Sequence, residues 1–376
     1  MSDTTTTTQP DTAVKPAAGT SGAALATRLR RPRTYLWAVG SVLLLAFPFY
    51  LDRFWLQAGL FAMAAAIGAI GLNLLTGATG QLSMGHAFFL AVGAYGYCVL
   101  AGDSSTENGH ELSGLGLPSW LAAVLAVLLA GAAGGLFSPI ASRLRGAYLG
   151  IATLALIFIG QHVLFNAGSL TGGFNGRAVP PLSLFGFDFD DTEVMVAAVP
   201  FQSSEKLWYA ALLALLLSGL FARGVLRGRP GRALNAIRDH RIAAGVMGVP
   251  VARYRAGVFV LSSMYAGLAG VLLALVFQRT VPEYFGMVLS LEYLAMIVIG
   301  GLGTVAGAVV GAAFVSLLPQ LLTHYSDSLP LVSAPGTGGL APGEASRYLY
   351  GAAVVAAVLF LPGGLTRLMK NSGEKK

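Results

Sequence analysis

Glycines and polar side chains interrupt the apolar tract that runs through residues 56–102. Gln81, Ser83 and His86 fall within two helical turns, directly after a run at 76–80 that contains two glycines. Glycine costs about 1 kcal/mol per site in a helix, and non-helical backbone at membrane depth is tolerated only inside protein or along a water-filled cavity. The pattern therefore predicts either a broken helix that lines a polar path across the membrane, or a tight hairpin at the membrane surface whose polar groups bond to neighbouring helices.

Other polar residues extend this candidate path. Glu292 is the one acid inside a predicted span, and we interpret it either as a functional group or as a side chain near a helix end that reaches the interface. A glycine- and proline-rich stretch in loop 167–206 predicts an ordered or turn-rich segment outside the membrane. The candidate residues of the path are Asn73, Gln81, Ser83, His86, Thr171, Asn175 and Glu292.

No residue pattern indicates catalysis or metal binding. His86 has no acid or cysteine nearby in the sequence, so a metal site is not expected. No paired acids and no Ser/His/Asp set converge on one membrane face, and the phosphate-binding pattern G-x-x-x-x-G-K-[ST] does not occur in the sequence. We therefore expect no catalytic residue, no metal and no cofactor in this chain.

Helices must position these residues. The 376-residue chain is 55% hydrophobic and only 11% charged, whereas soluble domains carry about 25% charged residues. Its apolar residues cluster in charge-poor runs close to the roughly 20 residues that a spanning helix needs, and only helices satisfy the backbone there. We predict an all-α, polytopic integral membrane protein of about ten transmembrane helices, some of them short or broken. The predicted spans are 35–50, 56–76, 81–102, 119–141, 147–166, 207–223, 257–279, 287–302, 304–325 and 346–363.

The distribution of positive charge predicts the topology. Most of the 24 Lys and Arg residues lie in the two tails and in the loops at 143–145 and 223–256, which an even number of spans places on one side. By the positive-inside rule this side is the cytoplasm. We expect a disordered cytosolic tail at 1–34, a transmembrane domain at 35–366 and a cytosolic tail at 367–376. The net charge of +7 reflects this topology, and nucleic acid is not an expected partner.

The loop at 223–256 contains an amphipathic segment. Its apolar residues recur with helical spacing from Gly231 to Met247, and Gly248-Val249-Pro250 ends the pattern. Such a helix needs a partner for its apolar face. We interpret it either as a helix lying on the inner leaflet, with its arginines on anionic headgroups, or as a helix that docks into a groove of a cytosolic protein.

Several segments resemble one family of transporters. The segment GRALNAIRDHRIAAGVMGV at 231–249 resembles the cytoplasmic coupling segment of ABC importer permeases, and more narrowly that of the LivM-type permeases of branched-chain amino acid importers. Four further segments match this family in order and spacing: GLNLLTGATGQLSMGHAFFLAVGAY at 71–95, RLRGAYLGIATLAL at 143–156, LTGGFNG at 170–176 and LSLEYLAMIVIGGLGTVAGAVVGA at 289–312. The family also includes urea and amide permeases.

The resemblance implies a set of partners and a contact surface. Such a permease pairs with a sister permease, two cytosolic ATP-binding subunits and an extracytoplasmic substrate-binding protein, and the ATP-binding subunits hold ATP and Mg. The segment at 231–248 would contact those subunits. Its packing residues would be Ala233, Ile237, Ala243 and Ala244, and its polar contacts would be Arg232, Arg238 and Asp239.

We therefore predict the transmembrane permease subunit of an ATP-driven importer for branched-chain or related amino acids. It would lie among the lipids of the bacterial cytoplasmic membrane, form half of the translocation pathway and carry no enzymatic activity itself. One alternative is a permease for urea or short amides. Another, of a different class, is a proton-driven secondary transporter with Glu292 and His86 as proton carriers, which would need no docking helix.

Overall fold

The computed structural model describes residues 44–107, 110–144, 146–184, 187–189, 194–196, 199–325, 342–360 and 364–365. Residues 44–50 are helical and belong to a compact unit that ends at Tyr50. The fold described below is that of the second unit, which begins at Leu51. The predicted tails at 1–34 and 367–376 and most of the first predicted span lie outside the described residues.

Nine helices in the described part of this unit coincide with predicted spans. They are α1 (Arg53–Thr79), α2 (His86–Ala101), α3 (Ser119–Arg143), α4 (Ala147–Asn166), α6 (Ser203–Arg227), α9 (Val251–Phe277), α10 (Met287–Gly300), α11 (Val305–His324) and α12 (Pro342–Phe360). Of these, α1, α3, α4, α6, α9 and α11 are long and apolar enough to cross a membrane, and α2 and α10 are shorter apolar helices. The predicted all-α, polytopic membrane fold is confirmed.

Helices α1 and α9 form the centre of the bundle. In their most apolar stretches 89% and 78% of the residues are buried inside the protein, against 17% in α6. Helix α1 is apolar on all sides, which is typical of a helix surrounded by other helices. Helix α6 instead exposes a leucine-rich face that includes Leu213, Leu216 and Leu220. An apolar face of this kind suits contact with lipid or with another apolar protein surface.

Two non-helical breaks separate pairs of these helices. Helix α1 ends at Thr79 with a left-handed Gly80, and six residues pass before α2 begins at His86. Helix α10 ends at Gly300, and Gly301 and Gly303 both have positive φ angles, of 109° and 84°. The Thr304 hydroxyl then caps α11 by accepting a hydrogen bond from the Gly307 amide at 3.1 Å. Glycine is suited to these positions because other residues rarely adopt positive φ.

Gly307 and Gly311 face α10 of the same chain. A Cβ atom added to Gly311 would lie 2.8 Å from the Gly300 nitrogen, and one added to Gly307 would lie 2.8 Å from the Gly300 oxygen. The regular spacing of glycines from Gly303 onward predicts one smooth helical face. That prediction is wrong for Gly303, which lies in the break, and the other two glycines make an internal helix contact.

Short strands and turns form one end of the bundle, here named the loop end. It contains helix α5 (Gly168–Thr171) and two-stranded antiparallel ribbons, as the glycine- and proline-rich sequence predicts. The strands are β1 (Ser105–Glu107), β2 (His110–Leu112), β3 (Arg177–Ala178), β4 (Ser183–Leu184), β5 (Phe187–Asp188), β6 (Val194–Val196), β7 (Val199–Phe201) and β8 (Arg279–Thr280). Strand β3 pairs with β8, so the loop is tied to the end of α9.

Two short helices form the opposite end, here named the arginine-rich end. They are α7 (Arg229–Asp239) and α8 (Arg241–Val246). The predicted single helix from Gly231 to Met247 is therefore wrong in one respect, because the backbone leaves the helical region at His240, with φ −147° and ψ 89°. The periodicity of the apolar residues does not reveal such a change of direction, since each half keeps its own helical spacing.

The close crossing of α2 and α9 gives a first prediction. A Cβ atom added to Gly93 would lie 2.7 Å from the carbonyl carbon of Gly267, too close for either backbone to remain in place. We expect Gly93→Ala to lower the free energy of unfolding by about 1–3 kcal/mol, the usual cost of overpacking. Thermal unfolding of the detergent-solubilised chain measures this.

Gly257→Ala is the matched control, because a Cβ atom at this position of α9 meets nothing within 4 Å. Its midpoint should stay at the wild-type value or rise slightly with the better helix propensity of alanine. Equal midpoints for the Gly93 variant and the wild type would contradict the close crossing.

Candidate translocation and coupling sites

The break after α1 turns the chain back into the bundle. His86, the first residue of α2, donates a hydrogen bond from Nε2 to the carbonyl oxygen of Gly68 at 3.0 Å. Gly68 precedes the end of α1 at Thr79 by eleven residues, or about 16 Å of helix. The six residues between the two helices therefore run back along α1, and α2 begins inside the bundle. This geometry differs from the tight hairpin at the membrane surface that was one of the two predicted structures.

Buried polar contacts hold the returning segment. Gln81, Ser83 and His86 are each only 2–3% exposed. The Gln81 side-chain amide donates to the Thr79 hydroxyl at 3.1 Å and to a main-chain carbonyl of α9 at 3.5 Å. The Met84 amide donates to the Thr153 hydroxyl of α4 at 2.9 Å. The segment is thus enclosed by α1, α4 and α9, as non-helical backbone in a membrane must be.

A polar cluster surrounds the beginning of α2. The Ala87 amide donates to the Ser290 hydroxyl of α10 at 2.8 Å. The ring of Tyr293 lies against that of His86, with centroids 5.0 Å apart. Within the described residues, the Tyr293 hydroxyl is buried without a hydrogen-bond partner. The cluster therefore combines hydrogen-bonding groups, one of them unsatisfied, with the positive end of the α2 dipole.

Glu292 borders this cluster from α10. It is half-buried, directly precedes Tyr293, and lies close enough to Tyr350 of α12 for an electrostatic interaction. The described residues contain no group of three or more His, Cys, Asp or Glu side chains that could hold a metal ion. The polar groups of this arrangement are suited to hydrogen bonding.

The two predicted path residues of the loop lie far from this cluster. The Thr171 hydroxyl is buried and donates to the carbonyl oxygens of Leu164 and Ala167, at 2.6 and 2.9 Å, at the end of α4. Asn175 is exposed, and its carbonyl accepts a hydrogen bond from Arg279 at 2.9 Å. The structure thus places His86 in the polar cluster and Gln81 at the end of α1, with the buried Ser83 in the segment between them. Glu292 lies on α10, and Thr171 and Asn175 lie at the loop end.

Asn73 joins α1 to the second break. Its side-chain amide donates to the Thr304 carbonyl at 2.7 Å, and its side-chain oxygen accepts from the Gly303 amide at 2.8 Å. Asn73 is only 3% exposed. Both polar atoms of the side chain thus satisfy the backbone of the turn between α10 and α11.

The predicted coupling residues divide between two faces of α7 and α8. Ile237 and Ala244 are buried against the chain itself, and Ala233 is half-buried. Arg238 also reaches inward, since its Nη1 donates to the Gly77 carbonyl of α1 at 2.7 Å, although the residue as a whole is exposed. The predicted residues that lie on the exposed face are Arg232, Asp239 and Ala243.

Sequence reasoning missed residues at both sites. On α8, Ile242, Val246 and Met247 are more than 80% exposed, and together they form an apolar surface at the arginine-rich end. In the polar cluster, Ser290 and Tyr293 were not singled out. Their spacing of three residues places them on one face of α10, and this was the signal that could have found them.

A bundle of apolar helices with non-helical breaks is typical of membrane transport proteins. Comparison with known proteins identifies the family. A family model described as "Branched-chain amino acid transport system / permease component" matches residues 56–358. The chain therefore belongs to this permease family. No solved structure matches the chain.

Individual relatives agree with this assignment. The chain is 30% identical over 352 residues to the high-affinity branched-chain amino acid transport system permease protein LivM of Salmonella typhimurium, covering 89% of this chain and 76% of the relative. It is 32% identical over 298 residues to LivM of Escherichia coli, covering 76% of this chain and 68% of the relative. It is also 27% identical over 268 residues to LivH of Salmonella typhimurium, covering 69% of this chain and 82% of the relative. The predicted resemblance to LivM-type permeases is confirmed.

The Ser290 contact gives a second prediction. Ser290→Ala leaves the Ala87 amide without its acceptor inside the bundle, and a buried unsatisfied group costs about 1–3 kcal/mol. We expect a lower midpoint of thermal unfolding in detergent. Ser316→Ala in α11 is the control, because that half-buried hydroxyl supports no break. An equal change in both variants would contradict a special role for the Ser290 contact.

Proposed function

We propose that this chain is the transmembrane permease subunit of an ATP-driven importer for branched-chain or related amino acids. Membership of the permease family and the names of its LivM and LivH relatives support the transport class and the substrate. The observation that carries the proposal is that the two short helices at the arginine-rich end contact the two breaks between helices of the bundle. When a partner outside the membrane displaces these two helices, the displacement can reach the interior of the bundle through these contacts.

The proposed pathway passes the polar cluster at the start of α2. Interrupted helices commonly form substrate sites in transporters, because their free backbone groups and dipole ends can meet a polar solute. His86, Ser290 and Tyr293 provide such groups inside the bundle. This chain would supply half of the pathway, and a sister permease would supply the other half.

The exposed surface of α7 and α8 is the proposed contact with the ATP-binding subunits. Ile242, Val246 and Met247 offer apolar anchors, and Arg232 and Asp239 offer charged contacts at their side. Two ATP-binding subunits would hold ATP and Mg and perform the hydrolysis, so this chain would carry no enzymatic activity. A substrate-binding protein would dock at the loop end.

The proposed location is the bacterial cytoplasmic membrane, with the arginine-rich end and both termini in the cytoplasm. The excess of Lys and Arg at that end supports this orientation. Cys98 is the only cysteine and is fully buried, so a Cys98→Ala background permits single engineered cysteines.

The orientation gives a third prediction. In that background, Met247→Cys on α8 and Phe174→Cys at the loop end introduce thiols at positions that are 84% and 77% exposed. We expect a membrane-impermeant maleimide to label the cysteine at 174 in intact spheroplasts, and the cysteine at 247 only in inverted vesicles. The reverse pattern would contradict the proposed topology.

Reconstitution tests the function directly. The chain, a sister permease, the ATP-binding subunits and a binding protein are placed in proteoliposomes, and uptake of leucine and of urea is measured with and without ATP. We expect leucine uptake that requires ATP and persists without a proton gradient. Uptake of urea alone would support the amide alternative, and uptake driven by a proton gradient without ATP would replace the importer with a secondary transporter.

A further inference from the structure

The side chain of Arg238 connects α7 to the end of α1. Its Nη1 donates to the Gly77 carbonyl at 2.7 Å. Because α1 stops at Thr79, this carbonyl is one of the last four in the helix and has no amide partner within it. A guanidinium at a helix C-terminus also interacts favourably with the helix dipole. Arg238 therefore satisfies a free main-chain acceptor of α1 with a charge that belongs to α7.

The turn between α10 and α11, which is the second break, lies against the same end of α1. Gly77 and Asn73 are four residues apart and so lie on one face of α1. A Cβ atom added to Gly77 would lie 2.9 Å from the Cα atom of Gly303, and one added to Gly303 would lie 3.6 Å from Nη1 of Arg238. Asn73 bonds to the amide of Gly303 and to the carbonyl of Thr304. The ends of α1 and α7 and the turn between α10 and α11 thus converge on Gly77 and Gly303.

Two stretches of the chain lead from this point to the polar cluster at the start of α2. The end of α1 continues into the returning segment and then into His86 of α2. Helix α10, which leads into the turn, carries Ser290 and Tyr293, and these contact the first residues of α2. A displacement of α7 that carries Gly77 and the turn with it would therefore reach the start of α2 from two sides.

We propose that Arg238 is a positioning residue that couples displacement of α7 to the two membrane breaks, with Asn73 as the second connection. The proposal rests on the proposed function, since ATP-binding subunits must move α7. The Arg238 bond to Gly77 holds α7 to α1, and the Asn73 amide holds α1 to the turn, so the three move together. A lysine at position 238 offers a point charge on a flexible stem instead of a planar fork.

The experiment uses the complete complex in proteoliposomes and measures ATP hydrolysis and leucine uptake in the same vesicles. For Arg238→Gln we expect the complex to assemble and hydrolyse ATP within about twofold of the wild-type rate. The number of leucine molecules imported per ATP should fall about tenfold, within the range of ordinary coupling free energies. Arg238→Lys should give an intermediate ratio. Arg223→Gln, the same change at an exposed position of α6 outside the proposed contact surface, should keep the wild-type ratio.

Asn73→Ala provides a second variant that does not touch α7. It should lower the ratio in the same way, and the double variant with Arg238→Gln should be no worse than the more impaired single variant, because the two bonds act in series. An unchanged ratio in Arg238→Gln would overturn the proposal. Loss of ATP hydrolysis in proportion to uptake would also overturn it, because Arg238 would then act in docking. Absence of ATP-dependent uptake by the wild type would instead remove the proposed function.

Discussion

Backbone amides and carbonyls inside a bilayer must find partners within the protein, and this constraint shapes the site described above. The chain leaves helical geometry twice between apolar helices of the bundle, at residues 80–85 and 301–304. Each departure frees main-chain groups that no helix satisfies. Side chains from other helices meet them: Ser290 and Thr153 at the first break, Asn73 at the second, and Arg238 at the end of α1. The polar residues of an otherwise apolar chain are therefore concentrated where the backbone needs them.

The same contacts make the breaks suited to transport. A regular helix offers lipid or protein only its side chains, whereas a broken helix also offers main-chain groups and a dipole end. The start of α2 has both, beside the unsatisfied hydroxyl of Tyr293. Because the partners of the breaks lie on different helices, relative motion of those helices can change which groups are available to a solute. An alternating pathway needs such a change, and two packed straight helices would not provide it.

Much of the fold could be predicted from the sequence, and particular residues explain where prediction stopped. Nine helices were predictable because apolar, charge-poor runs of about 20 residues have few alternatives to a membrane helix. The break at 80–85 was predictable from its glycines and polar residues, but its depth was not, because that depth is defined by the bond from His86 to Gly68 across two helices. The inward reach of Arg238 was also hidden, since helical periodicity assigns an arginine to the exposed face and cannot follow its long stem to Gly77.

The central claim is that the start of α2 lies on a path that opens and closes during the ATP cycle. The most direct measurement is the reactivity of Ser83→Cys, in a Cys98→Ala background of the assembled complex, towards a small membrane-impermeant thiol reagent. The rate would be compared between the nucleotide-free complex and the complex trapped with a non-hydrolysable ATP analogue. The account predicts that the two states differ by at least about tenfold. Equal rates in both states, or no reaction in either, would contradict it.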